Sequence, residues 1–171
     1  TDDAYISFVY SRNLVEHGEL TFNLGDYVEG YSNFSWTVLL AGLMALGIDP
    51  SISSRVLGTL CGVLVLAVVC RLTERVLARP GTPWAALPPA FLAASSGFAC
   101  WSSGGLETQL FTLLCVSAID RFAAVAELGL PPAIERRRGG QLGGLLALSA
   151  MTRPEGLLLT AILGICTLGR D

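Results

Sequence analysis

The chain has 171 residues, of which 52% are hydrophobic and only 15% charged, and its formal net charge is −3. An ordinary soluble domain carries about 25% charged residues, so this composition is typical of a protein whose helices are solvated by lipid. A nucleic-acid partner would need a concentrated basic surface, which the small negative charge argues against. The five cysteines lie in apolar runs without C-x-x-C spacing, which predicts buried thiols rather than a disulfide or metal framework.

The first segment, residues 1–53, holds half of the acidic and most of the aromatic side chains, and we expect it to be an outer loop with interfacial helices. Apolar residues recur at helical spacing over 3–16, which predicts a short amphipathic helix on the membrane surface. Gly18 then fits the C-cap of that helix. Gly25 predicts a tight turn within 20–28.

The apolar run 34–48 decides the topology of everything after it. As a helix it would be roughly 22 Å long, against about 30 Å of hydrocarbon in a bilayer. We therefore expect an interfacial helix rather than a span, ended by Gly47 and Pro50.

Residues 54–171 predict a transmembrane helix bundle, so the expected fold is an all-α, polytopic membrane protein. The predicted helices are residues 55–78, 84–101, 106–126, 140–151 and 156–168. Residues 129–138, with two prolines and three arginines, predict a loop. The chain opens on a polar segment at Thr1, so we expect at least one further span before it.

Arginines outside the apolar runs predict the orientation. With an interfacial helix at 34–48, one side of the membrane collects seven of them: Arg71, Arg75, Arg79, Arg136, Arg137, Arg138 and Arg170. That side is predicted to be cytoplasmic, because positively charged loops stay inside. The other side collects residues 2–33, 102–107 and 153–155, so three polar segments are predicted to meet outside the cytoplasm.

These polar segments contain the candidate catalytic residues Asp2, Asp3 and Glu107, with Arg153 and Glu155 beside them. Acidic side chains at the mouths of membrane helices are costly and tend to mark functional sites. Each also has a structural explanation when taken alone. Asp2 and Asp3 fit a helix N-cap, Glu107 a helix start, and Arg153 a proline-induced helix break.

The motifs themselves resemble a known family. They are DDAYISF (2–8), RNL (12–14), HG (17–18), VEGYSNFSW (28–36), GLET (105–108) and TRPEG (152–156), with Asn23 and Gly25. Together they resemble the first outer loop and later signatures of GT-C fold glycosyltransferases that use lipid-linked sugars, above all actinobacterial arabinofuranosyltransferase-like and mannosyltransferase-like members. That family would place an arginine at position 9, where this chain has Val9, which leaves Arg12 or Arg153 for a phosphate contact.

The resemblance implies an inverting transfer, in the bacterial plasma membrane, from a polyprenyl-phosphate sugar to an acceptor hydroxyl outside the cytoplasm. A sugar hydroxyl needs a carboxylate base, and the leaving phosphate needs an arginine or a metal. Asp2 or Asp3 is the expected base, while Glu107 orients the acceptor or supports a divalent cation. The expected substrate-binding residues are Arg12, His17, Glu29, Tyr31, Asn33, Arg153 and Glu155.

Two other functions fit a polytopic membrane protein. A transporter or lipid flippase would use intramembrane charges near the bilayer midplane, and here only Asp120 and Arg121 lie within a predicted span. A non-catalytic scaffold would bind a partner through its outer loop, and its acidic residues and Arg153 would have no reason to meet.

Overall fold

The computed structural model describes residues 2–28, 30–125 and 131–168. Over these residues the chain forms eight α-helices and one 3-10 turn, with no strand, which confirms the all-α prediction. The helices are α1 (Ala4–His17), α2 (Phe34–Ala45), α3 (Pro50–Val76), α4 (Leu87–Ala94), α5 (Ser96–Ser103), α6 (Thr108–Val125), α7 (Pro132–Thr152) and α8 (Glu155–Leu168), with the 3-10 turn at Pro83–Ala86.

Glycines end the first two helices as predicted. Gly18 has a φ of 73° and donates its N–H to the carbonyl of Leu14, which closes α1. Gly47 has a φ of 80° and bonds back to Met44, so α2 stops at Ala45 rather than continuing to residue 48. At 12 residues, α2 is about 18 Å long, too short to cross a bilayer.

Helices α1 and α2 pack through a small apolar core of Ala4, Phe8, Trp36 and Leu40, which Leu57 of α3 and two leucines near the start of α6 also contact. The buried face of α1 includes Ser7 and Ser11 as well as apolar residues. The core therefore fixes α1 and α2 against the beginnings of α3 and α6, and it brings polar groups of α1 with it.

Of the described helices, α3 and α6 are long and apolar enough to cross a membrane. They run in the same direction. Ser54 lies beside Gly105 near their beginnings, and Arg71 contacts Asp120 towards their ends. Helix α7 runs back, because Arg138 donates to the carbonyl of Ala124 at its start. The bundle thus has a Glu107 end and an Asp120 end, about 25 Å apart along α3.

The Asp120 end is held by a buried ion-pair cluster. Asp120 has no exposed surface, and its two oxygens accept hydrogen bonds from Arg71 Nη2 at 2.7 Å and Arg75 Nε at 3.3 Å. Because both arginines are on α3 and Asp120 is on α6, the cluster fixes these two helices at the end opposite to Glu107.

Two predicted elements are wrong. Residues 84–101 do not form one helix: Ser95 is extended, with a ψ of 122°, and separates α4 from α5, neither of which exceeds 8 residues. Nor is all of 129–138 a loop, because α7 begins at Pro132. Proline is favoured at the first position of a helix, where no N–H partner is needed, so the Pro131-Pro132 pair starts this helix instead of preventing one.

Helices α7 and α8 are in close backbone contact at Gly156. A Cβ added there would lie about 2.5 Å from the carbonyl oxygen of Ser149 and the nitrogen of Ala150, both backbone atoms. Gly156→Ala is therefore expected to destabilise the protein by about 1–3 kcal/mol, because backbone cannot move aside as a side chain can. The measurement is thermal unfolding of the full-length protein in detergent.

Gly164→Ala is the matched control, because it lies in the same helix with nothing within 4 Å of the added Cβ. Helix propensity favours alanine at both positions by about 1 kcal/mol. If the Gly156 variant loses stability and the Gly164 variant gains it, the loss is caused by the close backbone contact at Gly156. Equal gains in both would contradict this packing.

Candidate functional site

A cavity of about 230 Å³ opens at the Glu107 end, between the start of α1, the segment before α2, and the α7–α8 junction. Its polar lining residues are Asp3, Ser7, Tyr31, Ser32, Asn33, Glu107 and Arg153. They come from four separate stretches of the chain, and the helix packing described above brings them together.

Glu107 is the most deeply placed charge of this cavity, with 6% of its surface exposed. Its Oε1 accepts a hydrogen bond from Arg153 Nε at 2.8 Å and forms an ion pair with Arg153 Nη2 at 2.8 Å, and its Oε2 accepts a hydrogen bond from Asn33 Nδ2 at 2.9 Å. Its carbonyl starts α6 by accepting from Phe111 N. Glu107 therefore lies at the start of a helix, as predicted, but its side chain binds Asn33 and Arg153 from two other segments instead of capping its own helix.

Arg153 reaches Glu107 because the chain is extended between α7 and α8. Its φ and ψ are −152° and 143°, the region favoured by a residue that precedes proline. The guanidinium also lies over the ring of Phe111, 5.8 Å from the ring centroid. Its Nε and Nη2 contact Glu107, whereas Nη1 has no hydrogen-bond partner among the described residues, so its N–H groups can donate to a ligand in the cavity.

Asn33 connects the cavity to α1 and α2. Its Nδ2 donates to Ser7 Oγ at 2.9 Å as well as to Glu107, and its Oδ1 accepts from Thr37 Oγ1 at 3.2 Å. Ser11 Oγ lies 2.7 Å from the carbonyl oxygen of Ser7 and 2.9 Å from that of Thr37, so its single hydroxyl proton is shared between these two acceptors. These buried hydrogen bonds connect α1, the start of α2 and Glu107 in one network along the wall of the cavity.

Asp3 contributes a free carboxylate to the rim. It occupies the N-cap position of α1, yet its side chain makes no capping hydrogen bond. The capping explanation for this residue is therefore not supported. Asp2 and Asp3 are both exposed, but only Asp3 lines the cavity.

Tyr10 holds the loop that forms one wall of the cavity. Its hydroxyl accepts from Gly30 N at 3.1 Å and donates to the carbonyl of Val28 at 3.2 Å. Its ring packs on Tyr31, with centroids 4.8 Å apart. This contact places Tyr31 at the cavity.

The outer turn of the same loop is held by Glu19. Its carboxylate accepts from Gly25 N at 3.1 Å and from the Tyr27 hydroxyl at 3.2 Å. The hydrogen bond to Glu19 and its negative charge raise the pKa of Tyr27. Gly25 has a φ of 79°, which confirms the predicted turn.

Comparison with family models, curated proteins and solved structures gives no match. Interpretation of the cavity therefore depends on its geometry and on the sequence motifs that line it.

Of the predicted substrate-binding residues, Tyr31, Asn33 and Arg153 line the cavity. Three others do not line it and are exposed: Arg12, His17 and Glu155. His17 is at the far end of α1, with its Nε2 3.9 Å from the carboxylate of Glu16. Glu29 lies outside the described residues.

The second role considered for Glu107, support of a divalent cation, gains no support from the described residues. Among the described residues there is no group of three or more His, Cys, Asp or Glu side chains placed to share a metal ion. Both oxygens of Glu107 already accept a hydrogen bond, one from Asn33 and one from the cation Arg153, which also forms an ion pair with this carboxylate. We therefore assign no metal ligands at this cavity.

Sequence reasoning missed Ser7, which both lines the cavity and orients Asn33. A signal for it was present. Ser7 and Ser11 are four residues apart, so they share one face of α1 with the apolar Ala4 and Phe8. Serines among core residues on one helix face indicate a buried polar contact across to another element.

Proposed function

We propose that this chain forms part of a membrane glycosyltransferase that transfers a sugar, with inversion, from a polyprenyl-phosphate donor to a hydroxyl acceptor outside the cytoplasm. The observation that carries the proposal is the cavity in which the free carboxylate of Asp3 faces the same space as Glu107 and Arg153. The motifs of this cavity are also those that resemble GT-C glycosyltransferases, although they lie in four separate stretches of sequence.

Asp3 is the proposed general base. A carboxylate that takes no part in helix capping and is open to a cavity is available to accept a proton from an incoming hydroxyl. As the acceptor oxygen bonds to the anomeric carbon, its proton passes to Asp3. The bond from the anomeric carbon to the phosphate oxygen breaks, and its electron pair leaves with the polyprenyl phosphate.

Glu107 is proposed to position the site rather than to react. It holds Arg153 and Asn33 against the cavity from two directions, and its burial beside a guanidinium keeps that arrangement fixed. The remaining donors of Arg153 then serve the oxygens of the sugar or of the leaving phosphate.

Location in a bacterial plasma membrane, with this cavity on the outer face, is part of the proposal. Two apolar helices of sufficient length support it, as does the arginine content of the opposite end, where Arg71, Arg75 and Arg138 lie. A transporter would instead need charges near the middle of the bundle. The buried Asp120 is ion-paired near one end of it.

The test is sugar transfer by the full-length protein in proteoliposomes, with a panel of radiolabelled polyprenyl-phosphate sugars that includes arabinofuranosyl and mannosyl donors. One donor is expected to pass its label to an added glycan acceptor, while nucleotide sugars give none. Movement of intact donor across the bilayer without transfer would instead indicate a flippase. If no donor gives either sugar transfer or movement across the bilayer, the glycosyltransferase is rejected and the non-catalytic scaffold is the function that fits.

A further inference from the structure

We infer that Arg55 and the exposed face of α3 below it bind the polyprenyl phosphate of the donor, Arg55 at the phosphate and the helix face along the lipid chain. The inference rests on the proposed function, since it names where the lipid carrier of that reaction lies. It concerns a surface outside the cavity already described.

Arg55 is a cation without a counter-charge. It is exposed in the second turn of α3, and its guanidinium makes no ion pair or hydrogen bond with any residue that the structure describes. Arg153, by contrast, is paired with Glu107, and that pair has no net charge. A phosphate is held best by an arginine whose charge is not already neutralised, so Arg55 fits the donor phosphate better than Arg153 does.

The position of Arg55 links the sugar cavity to the lipid-facing surface. On one side it lines a small space of about 30 Å³ together with Ala4, Tyr5 and Gly105. Ala4 follows Asp3 directly, and Gly105 precedes Glu107 by two residues. A phosphate on Arg55 would therefore lie beside the rim where Asp3 opens to the cavity.

On its other side Arg55 heads an apolar groove of about 430 Å³, lined by Val56, Thr59, Leu60 and Val63. Val56, Leu60 and Val63 are each more than half exposed and are spaced at i, i+4 and i+7, so they form one stripe that runs towards the Asp120 end. An unpaired cation followed along the helix by an aliphatic stripe is complementary to a lipid phosphate. The phosphate would lie at Arg55 and the lipid chain along α3.

The probe is polyprenyl phosphate that carries a photoreactive diazirine on its chain and has no sugar. Full-length protein in phosphatidylcholine nanodiscs is irradiated with it, and the labelled peptides are mapped by mass spectrometry. We expect labelling within residues 56–63 that unlabelled polyprenyl phosphate competes away and phosphatidylglycerol does not. Arg55→Ala should weaken the labelling by about tenfold to a hundredfold, the effect of losing a charged hydrogen bond.

Arg79→Ala is the matched control, because it removes the same charge from an exposed position beyond the other end of α3 and should leave labelling unchanged. Arg55→Lys should recover part of it, which separates loss of charge from loss of folding. Equal labelling of the Arg55→Ala variant, equal competition by phosphatidylglycerol, or no labelling of α3 in the wild type would each overturn the inference.

The assay contains neither sugar nor acceptor, so it is independent of catalysis. If labelling depends on Arg55 but the protein transfers no sugar, the lipid-phosphate site is supported and the glycosyltransferase function is rejected. If sugar transfer is unchanged in the Arg55→Ala variant, the glycosyltransferase function is supported and the phosphate site at Arg55 is rejected.

Discussion

Asp3→Asn is expected to lower the kcat of sugar transfer by about a hundredfold to ten-thousandfold, the contribution typical of a general base. Asparagine keeps the size and hydrogen-bonding capacity of the side chain but cannot accept the proton of the attacking hydroxyl. KM for the donor should change much less than kcat, because the donor is held by other residues.

Folding of this variant is expected to be normal, which makes the activity loss interpretable. The Asp3 side chain is exposed and caps no helix, and such surface substitutions usually change stability by no more than about 0.5 kcal/mol. The measurements are single-turnover transfer in proteoliposomes and the amount of protein recovered from membranes.

Two neighbouring acids serve as controls for Asp3. Asp2→Asn tests the alternative that the sequence left open, and we expect it to retain most of the activity because Asp2 does not line the cavity. Asp26→Asn removes a similar charge from the exposed outer turn. Loss of transfer in the Asp2 variant with retention in the Asp3 variant would assign the base to Asp2 and contradict the proposed geometry.

The helices of the first segment were predictable because local signals agree there. Apolar spacing and Gly18 predicted 3–16, and α1 is found at Ala4–His17. Where local signals are ambiguous the prediction failed. Proline ends helices and also starts them, so the same residues that predicted a loop at 129–138 in fact begin α7 at Pro132.

The residues that line the cavity were partly predictable from charge. An acid at a membrane helix mouth is costly, which singled out Asp2, Asp3 and Glu107 without any knowledge of their neighbours but did not separate Asp2 from Asp3. What each side chain contacts could not be predicted, because Asn33 and Glu107 are 74 positions apart and meet only through helix packing. The phosphate-binding role proposed for Arg55 was not predicted for the same reason. From the sequence, Arg55 is only the first residue of a predicted span, and its neighbours are known only from the structure.

Arg153→Met is expected to destabilise the protein by about 3 kcal/mol, more than any other single change considered for this bundle. It leaves the carboxylate of Glu107 buried with only Asn33 as partner, and an uncompensated buried charge is among the costliest defects in a folded protein. Methionine keeps much of the volume of the arginine stem, so packing against Phe111 is largely preserved.

Glu107→Gln should cost clearly less. It leaves Arg153 without its partner, but about a third of the arginine side chain is exposed and water can solvate it. This asymmetry follows from the difference in burial across one ion pair. A cost for Glu107→Gln equal to or greater than that for Arg153→Met would show that the carboxylate is not the buried member of the pair.

The double variant separates the contribution of the pair to stability from its role in the site. Glu107→Gln combined with Arg153→Met buries no unpaired charge, so thermal unfolding should show most of the stability lost in Arg153→Met restored, with a coupling of about 1–3 kcal/mol. Sugar transfer should stay low, since the donors of Arg153 are gone and Asn33 has lost its carboxylate. Recovery of both stability and transfer would mean that the pair only supports the fold, and the positioning role proposed for Glu107 would then be wrong.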